Sequence, residues 1–365
     1  MIEQKLNELY EAYGYRKFKM SKFENYDLYS ANRDFLDSSR VITFTDIDGT
    51  LMALKPDITL SIVKNDNGCE EKVYYNETVY RPKNGHYREI VQSGVEFLGT
   101  ISTYSQAEVI FLAAESLKII SEKSILRLSD VAYINALFDS MDIDFPDRQR
   151  LLEILSMKNA GGVDELVREK RLKKEYAETL KTLIDMYLPL KKGIELLFEL
   201  SPGDEGKAVA KDLMDIADVL ESFGETNNIC LDLSVTNNMD YYNGILMHGS
   251  VEGIPVNVVT GGRYDRLPQK MGMELGAIGF AVYIDAIEGM DPACREKDVD
   301  VLLTYTDRDD PRDIALAVKK FRQAGLTVRT ASENDLNRMH RSIRAAERLN
   351  VSDTCRIKPG TEGKI

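Results

Sequence analysis

Residues 87–99 read YREIVQSGVEFLG, and the fold turns on them. Side chains of an extended strand alternate between faces, so Gln92, Gly94 and Glu96 share one face and Val91, Val95 and Phe97 the other. The apolar set needs a core behind it. The polar set places an amide and a carboxylate on either side of a residue with no side chain, which predicts a recess where a small polar molecule meets both. An ordinary solvent-facing sheet gives the same alternation, and that alternative stays open on alternation alone. Upstream, Val73 to Tyr80 is a second strand-like run, and Asn84-Gly85 near the reversal tolerates positive φ, so the two runs are predicted to form one long hairpin.

Working outward, Ile2, Leu6, Leu9, Tyr10 and Tyr13 line one face of a short helix that Gly14 can end, and Tyr15 to Glu24 alternates as a strand. Val41 to Thr45 and Thr50 to Leu54 flank Asp46-Ile47-Asp48-Gly49, a turn sequence, and predict a smaller hairpin. Ser105 followed by Glu108 is a capping-box pattern for a helix running to about Ile120. From Pro146 to Phe223 the chain is rich in Leu, Lys and Glu at helical spacing, broken at Ala160-Gly161-Gly162, Pro189 and Ser201-Pro202-Gly203. This predicts a helical insertion over about 140–225. Strands are expected at Ile229 to Val235, Tyr241 to Val251 and Pro255 to Thr260, then a strand passing into a helix at Gly276 to Ile287. After Asp291-Pro292 a βαβα pattern follows: Val299 to Tyr305, Pro311 to Ala324, Leu326 to Arg329 and Asp335 to Leu349. The expected organisation is a core domain over 1–290 and a small α/β domain over 298–365.

The 365 residues and 43% hydrophobic content suffice for a sizeable core. Apolar runs such as Glu108 to Ile120 are too short and too charged to span a bilayer, and MIEQKLNELY has no apolar signal core, so no membrane association and a cytoplasmic location are expected. Cys69, Cys230, Cys294 and Cys355 form no CxxC pair, and His86, His248 and His340 are scattered, so free thiols, no structural zinc and no cofactor are expected. With 60 acidic against 47 basic residues the net charge is -13, which opposes a nucleic-acid partner unless a local basic patch overrides it.

Five ordered segments resemble histidyl-tRNA synthetase. LKPDITLSIVKN at 54–65 is similar to that family's LRPEGT segment, and YRPKNGHYREIVQSGVEFLG at 80–99 to the second half of its motif 2. MDYYNGILM at 239–247 and TGGRYDRL at 260–267 resemble its two histidine-specific motifs, and AIGFAVYIDAI at 277–287 its motif 3. The resemblance covers roughly Leu6 to Ile287, with a shortened anticodon-binding domain after it. It implies an α+β fold of the class II aminoacyl-tRNA synthetase type: a six-stranded antiparallel sheet flanked by helices, a small C-terminal α/β domain, and self-association as a dimer. It also assigns Asp57, Thr59, Gln92 and Glu96 to amino-acid binding, with Asp57 in place of the usual glutamate. Tyr241 and Tyr242 would wall the imidazole, and Tyr264 lies in the matching GGRYD segment. Carboxylates are the natural charge-assisted acceptors for the ammonium and ring N–H of histidine.

The departures point elsewhere. Adenylation needs cations to hold the ATP phosphates. The motif 2 arginine position is Thr78, the arginine before the first histidine motif is Asn237, and the motif 3 arginine is Ala286, which leaves Arg88. The Asn237 change also removes the group expected to pair with the histidine carboxylate. A histidine pocket kept without ATP chemistry resembles the regulatory subunits of ATP phosphoribosyltransferase, a family of synthetase paralogues. That resemblance implies a non-catalytic chain in a hetero-oligomer with a short catalytic subunit, needed for its activity and mediating histidine inhibition of the first step of histidine biosynthesis. A divergent histidyl-tRNA synthetase, and a synthetase-like binding protein with another partner, are the alternatives. Finally, TFTDIDGTL at Thr43 to Leu51 resembles the nucleophile signature of haloacid dehalogenase phosphatases. That fold places the motif after a buried parallel strand, and the only adjacent Asp-Asp pair, Asp309-Asp310, lies in a distant loop, so a turn is expected instead.

Overall fold

The structure is a computed structural model that describes residues 2–33, 35–36, 41–66, 68–83, 85–141, 143–201, 203–224, 226–236, 241–288, 299–336 and 345–351. Its strands in chain order are β1 Arg16–Lys17, β2 Phe23–Asn25, β3 Ile42–Thr45, β4 Leu51–Leu54, β5 Glu71–Lys83, β6 His86–Gly99, β7 Ser124–Asp130 and β8 Leu188–Pro189. They continue with β9 Ile229–Leu231, β10 Ile245–Val251, β11 Val259–Arg263, β12 Gly276–Tyr283, β13 Val299–Tyr305, β14 Val328–Ser332 and β15 Ala345–Asn350. The chain divides into two compact units, residues 1–289 and 290–365.

The first unit is built on a nine-stranded sheet in the order β1-β5-β6-β12-β11-β10-β7-β9-β8. Its central six strands, β5 to β7 in that order, are antiparallel throughout. Parallel strands β1 and β9 extend the two sides. The long hairpin is in register from Glu71↔Leu98 to Lys83↔His86, and Gly85 takes the positive φ (+77°) that the reversal requires. Asn84 lies outside the described residues. The helix Thr103–Ile120 packs across β7, β10 and β12 and buries Val109, Ile110, Leu112, Ala113 and Leu117. A Cβ on Gly249 of β10 would stand 2.6 Å from the Leu117 side chain, so glycine at this position sets how closely helix and sheet approach. The helices Ile2–Ala12 and Asp204–Phe223 pack in turn on that helix.

Several elements differ from the sequence expectation. The capping box uses Ser102 and Ser105, each side chain bonding the other's backbone N–H, while Glu108 is turned inward to Lys72 Nζ (2.6 Å) and the Tyr15 hydroxyl (3.2 Å). A serine three residues on serves the reciprocal bond as well as the expected glutamate. The Tyr15–Glu24 run splits into β1 and β2. The strand expected at Pro255 to Thr260 is displaced to Val259–Arg263, so Gly261 and Gly262 lie inside it, where a Cβ on Gly261 would stand 2.3 Å from the Gly279 carbonyl oxygen. Between β7 and β9 the described residues form helices Val131–Ser140, Phe145–Ser156, Ala160–Arg168, Ala177–Asp185, Leu190–Leu200 and Asp204–Phe223. Cys69 and Cys230 are free thiols, while Cys294, Cys355 and His340 lie outside the described residues.

The second unit has a parallel sheet, β14-β13-β15, with the helix Pro311–Gln323 connecting β13 to β14. Leu303, Ala317 and Val351 form its buried core. The helix expected over Asp335 to Leu349 is replaced at its far end by β15, because pairing Leu349 with Leu303 sets an apolar side chain on that core. Asp310 caps the helix through the Arg312 N–H, and Asp309 accepts from Thr306, so both carboxylates serve local turns.

TFTDIDGTL forms the β3–β4 hairpin of a separate three-stranded sheet, with Thr45 paired to Leu51. Asp46 N–H donates to the Thr50 carbonyl, Asp48 accepts from the Thr50 N–H, and Gly49 has φ +88°. An exposed antiparallel turn of this kind lacks the buried parallel strand the phosphatase chemistry requires. Asp46→Asn, which keeps the oxygen that accepts from the Ile47 N–H, is expected to change stability by less than about 0.5 kcal/mol in urea unfolding. Gain or loss of a magnesium-dependent phosphatase activity on this substitution would contradict the turn assignment.

Candidate functional site

The register places the polar face of β6 over a continuous floor. Gln92, Gly94 and Glu96 pair with Tyr283, Ala281 and Gly279 of β12, and Tyr75 of β5 pairs with Gly94 from the other side. Paired residues of an antiparallel sheet share a face, so this floor sets Gln92 and Glu96 among Gly94, Ala281 and Gly279, with Tyr75 and Tyr283 beside them. The small residues are obligatory. A Cβ on Gly279 would lie 1.7 Å from Glu96 Oε2, and one on Gly94 would lie 2.2 Å from the Phe280 carbonyl and 2.6 Å from the Tyr75 hydroxyl. The recess expected at Gly94 is therefore filled by the Tyr75 phenol, and the open space lies above it.

That space is a cavity of about 360 Å³, and all seven residues singled out in the sequence line it: Asp57, Thr59, Gln92, Glu96, Tyr241, Tyr242 and Tyr264. They come from four places. β6 supplies Gln92 and Glu96, and the start of the helix Thr59–Asn65 supplies Thr59 with Asp57 just before it. The loop before β10 supplies the tyrosine pair, and the residue after β11 is Tyr264.

Glu96 is 3% exposed and accepts from the Tyr264 hydroxyl (2.6 Å) and the Thr59 hydroxyl (3.0 Å). Burial pushes its carboxyl up to about 8, helped by the nearby negative Asp57 and opposed by the two hydroxyl bonds. Asp57 Oδ1 caps the helix by accepting from the Leu60 N–H (2.9 Å), and its Oδ2 faces Arg81 Nη2 at 3.3 Å. The aromatic wall is made of edge contacts and tilted rings. Tyr241 lies 4.7 Å from Tyr242, 5.4 Å from Tyr264 and 5.6 Å from Phe35 between ring centres. Gly262 is needed here too, since a Cβ there would meet the Tyr242 ring at 2.7 Å.

Three features escaped the sequence reading. Arg81 is the only cationic side chain among the described residues lining the cavity. Hairpin parity could have found it, because Arg81 shares its strand face with Tyr75 and hence with Gly94. Arg88, the cation expected to remain, pairs opposite Arg81 but is exposed and does not line the cavity. Asn243 and Asp265 are the second feature. Asp265 accepts from Asn243 Nδ2 (3.0 Å) and Arg263 Nε (2.8 Å), while Asn243 Oδ1 accepts from the Asp265 N–H (2.8 Å), which braces the YYNG and GGRYD segments against each other. The third concerns the substituted arginine positions. Thr78 pairs with Val91 and so lies on the opposite sheet face from Gln92 and Glu96, Ala286 does not line the cavity, and Asn237 lies outside the described residues.

A polar floor on an antiparallel sheet, with a capped helix start and an aromatic wall closing over it, defines an amino-acid-sized pocket of the class II synthetase type. The family model described as Histidyl-tRNA synthetase matches residues 1–287. The ATP phosphoribosyltransferase regulatory subunit of Caldanaerobacter subterraneus subsp. tengcongensis is 32% identical over 298 residues, 78% of this chain and 76% of that protein. Among solved structures, an ATP phosphoribosyltransferase regulatory subunit/histidyl-tRNA synthetase from Bacillus halodurans aligns with TM-score 0.74 and 25% identity over 96% of this chain and 93% of that one. The ATP phosphoribosyl transferase complex from Thermotoga maritima contains a chain that aligns with TM-score 0.62 and 17% identity over 78% of this chain and 96% of that one, a likeness of fold. The chain belongs to the histidyl-tRNA synthetase family, on the branch of the ATP phosphoribosyltransferase regulatory subunits.

The buried Glu96 makes stability depend on pH. Its carboxyl titrates near 8 in the folded chain and near 4.5 when unfolded, so between those values the folded state holds the extra proton and stability falls as pH rises. Glu96→Gln removes that slope. The variant is expected to gain on the native chain by up to about 1.4 kcal/mol per pH unit across this window in ligand-free urea unfolding. A difference between the two proteins that is the same at pH 5 and pH 8 would show that Glu96 is not a desolvated carboxyl.

Proposed function

We propose that this chain is the regulatory subunit of an ATP phosphoribosyltransferase, that it binds free histidine in the cavity, and that it does not charge tRNA. The observation that carries this reading is the balance of acidic and basic side chains in the cavity: among the described residues that line it, the single cation Arg81 is already drawn to Asp57, and the second acidic side chain, Glu96, is buried with hydroxyl partners alone. Such a lining suits a ligand with a cationic end and a flat ring. It is poor in the cations that stabilise phosphates during adenylation. The ring of histidine fits the buried end, between the tyrosines and Glu96, and its zwitterionic head fits the more exposed end at Asp57. The proposed assembly is cytoplasmic and joins a self-associated dimer of this chain to the short catalytic subunit; no helix among the described residues is long and apolar enough to cross a membrane.

Histidine would inhibit by binding one arrangement of that assembly more tightly than the other, since only differential affinity shifts a conformational equilibrium. The decisive experiment mixes this chain with a short ATP phosphoribosyltransferase. Co-purification and restored phosphoribosyltransferase activity, lowered again by histidine, are expected. Histidine-dependent pyrophosphate exchange by this chain alone would establish the synthetase alternative instead.

Calorimetry is expected to detect histidine binding that Glu96→Ala abolishes or strongly weakens, because the ring N–H loses its buried acceptor. The pH profile has a defined shape. Glu96 and an imidazole titrating near about 6.5 share one proton in the complex. Affinity is therefore level between about pH 6.5 and the Glu96 value near 8, and declines on both sides. A profile rising steadily across that interval would remove the ring from Glu96.

A further inference from the structure

At the open end of the cavity the Arg81–Asp57 pair is only partly made. Its Nη2–Oδ2 distance of 3.3 Å exceeds the roughly 2.7–2.9 Å of a strong charge-assisted bond, and the two side chains are 27% and 22% exposed. Asp57 is fixed, because its other oxygen caps the helix at Leu60. Arg81 is anchored at one point, its Nε donating to the Pro56 carbonyl of the same segment. A guanidinium has five N–H donors in a planar fork, and these two bonds use one each of Nε and Nη2. Hairpin pairing explains why Arg81 reaches this place: it shares the strand face of Tyr75 and Val79, two pairs short of the Lys83↔His86 reversal.

We propose that Arg81 is the residue that reads the α-carboxylate of the ligand, exchanging its loose contact with Asp57 for the carboxylate while the ligand's α-ammonium takes Asp57 Oδ2. The assignment rests on the reading that histidine occupies the cavity, and it names the group that selects an amino acid over its decarboxylated or reduced relatives. An inserted zwitterion satisfies both members of the pair at once and leaves the net charge of the open end unchanged. A ligand carrying only the ammonium must separate Arg81 from Asp57 and leaves the guanidinium without an anion. The ammonium-only ligand therefore binds more weakly, by on the order of 10- to 100-fold, the usual worth of a hydrogen-bonded charge partner. Glu96 and the tyrosines contribute equally to both ligands, since both carry the same ring.

The test titrates the full chain and its Arg81→Gln variant with L-histidine and with L-histidinol, which replaces the carboxylate by an alcohol. The native chain is expected to prefer histidine by the stated factor. Arg81→Gln is expected to lose that factor for histidine alone, leaving histidinol affinity unchanged or improved because Asp57 is released. Retained histidinol binding also reports an intact pocket. Equal weakening of both ligands, or an undiminished preference for histidine in the variant, would overturn the assignment. If the glutamine variant fails to fold, Arg81→Lys takes its place: the charge is kept, the fork is lost, and the preference should fall several-fold, an unchanged preference being the overturning result. Failure of the native chain to bind either compound would instead refute the histidine reading itself, and the assignment with it.

Discussion

An acidic side chain sealed inside a protein with only neutral partners around it is costly to ionise, and Glu96 is such a group. Two hydroxyls, from Thr59 and Tyr264, hold its oxygens, and no lysine or arginine among the described residues forms an ion pair with it. Those hydroxyls come from segments separated by more than two hundred positions in sequence, so the bonds tie the start of a helix, the centre of a hairpin strand and the end of β11 to one point. The opposing residue must then be Gly279, because any Cβ there would enter the space of the carboxylate. Below about pH 8 the buried carboxyl keeps its proton, which spares the interior an unpaired charge.

The same polar face continues toward the other end of the sheet, where it takes a structural role. Asp232, 1% exposed, holds Lys158 Nζ at 3.1 Å and Arg127 Nη1 at 3.6 Å, and so fastens the helical segments to the strands. Arg127 also donates to Asn257 Oδ1 (3.0 Å), which turns the amide nitrogen of Asn257 to His248 Nδ1 at 3.2 Å. That ring nitrogen must accept, so the ring is neutral with its proton on Nε2. Burial, reinforced by Arg127, pushes the histidine down to about 4, in agreement with that tautomer. One sheet face thus holds acidic groups in two settings: ion-paired at Asp232, and held by hydroxyls alone at Glu96.

What was legible in the sequence followed from local rules. Alternation in YREIVQSGVEFLG placed Gln92 and Glu96 on one face, Asn84-Gly85 marked a reversal, and the Asp46–Gly49 segment behaved as its turn chemistry required. The errors arose where pairing overrode local pattern. Helical spacing at Asp335 to Leu349 yielded at its far end to a parallel partner that buries Leu349, and Gly261-Gly262 looked like a loop because a central strand rarely needs two residues without side chains. Asn243 lay inside the strand expected at Tyr241 to Val251 and Asp265 had no assigned role, and only the fold shows that each holds the other's loop. The recess at Gly94 itself went to a tyrosine from the adjacent strand, a fact available only once the hairpin register is known.

Arg81 changes the argument for the proposed absence of ATP chemistry more than any other residue. Read from the sequence, the loss rested on Thr78, Asn237 and Ala286 replacing arginines, as though each replacement removed a positive charge from the pocket. Thr78 in fact lies on the opposite sheet face, so an arginine there would need a different path to reach the cavity. The stronger reason is the balance that remains. The one cation lining the cavity among the described residues stands 3.3 Å from a carboxylate of the same cavity and is bonded to the backbone beside it. A guanidinium in that position faces the acidic side chain beside it, and the described lining of the cavity adds no second cation.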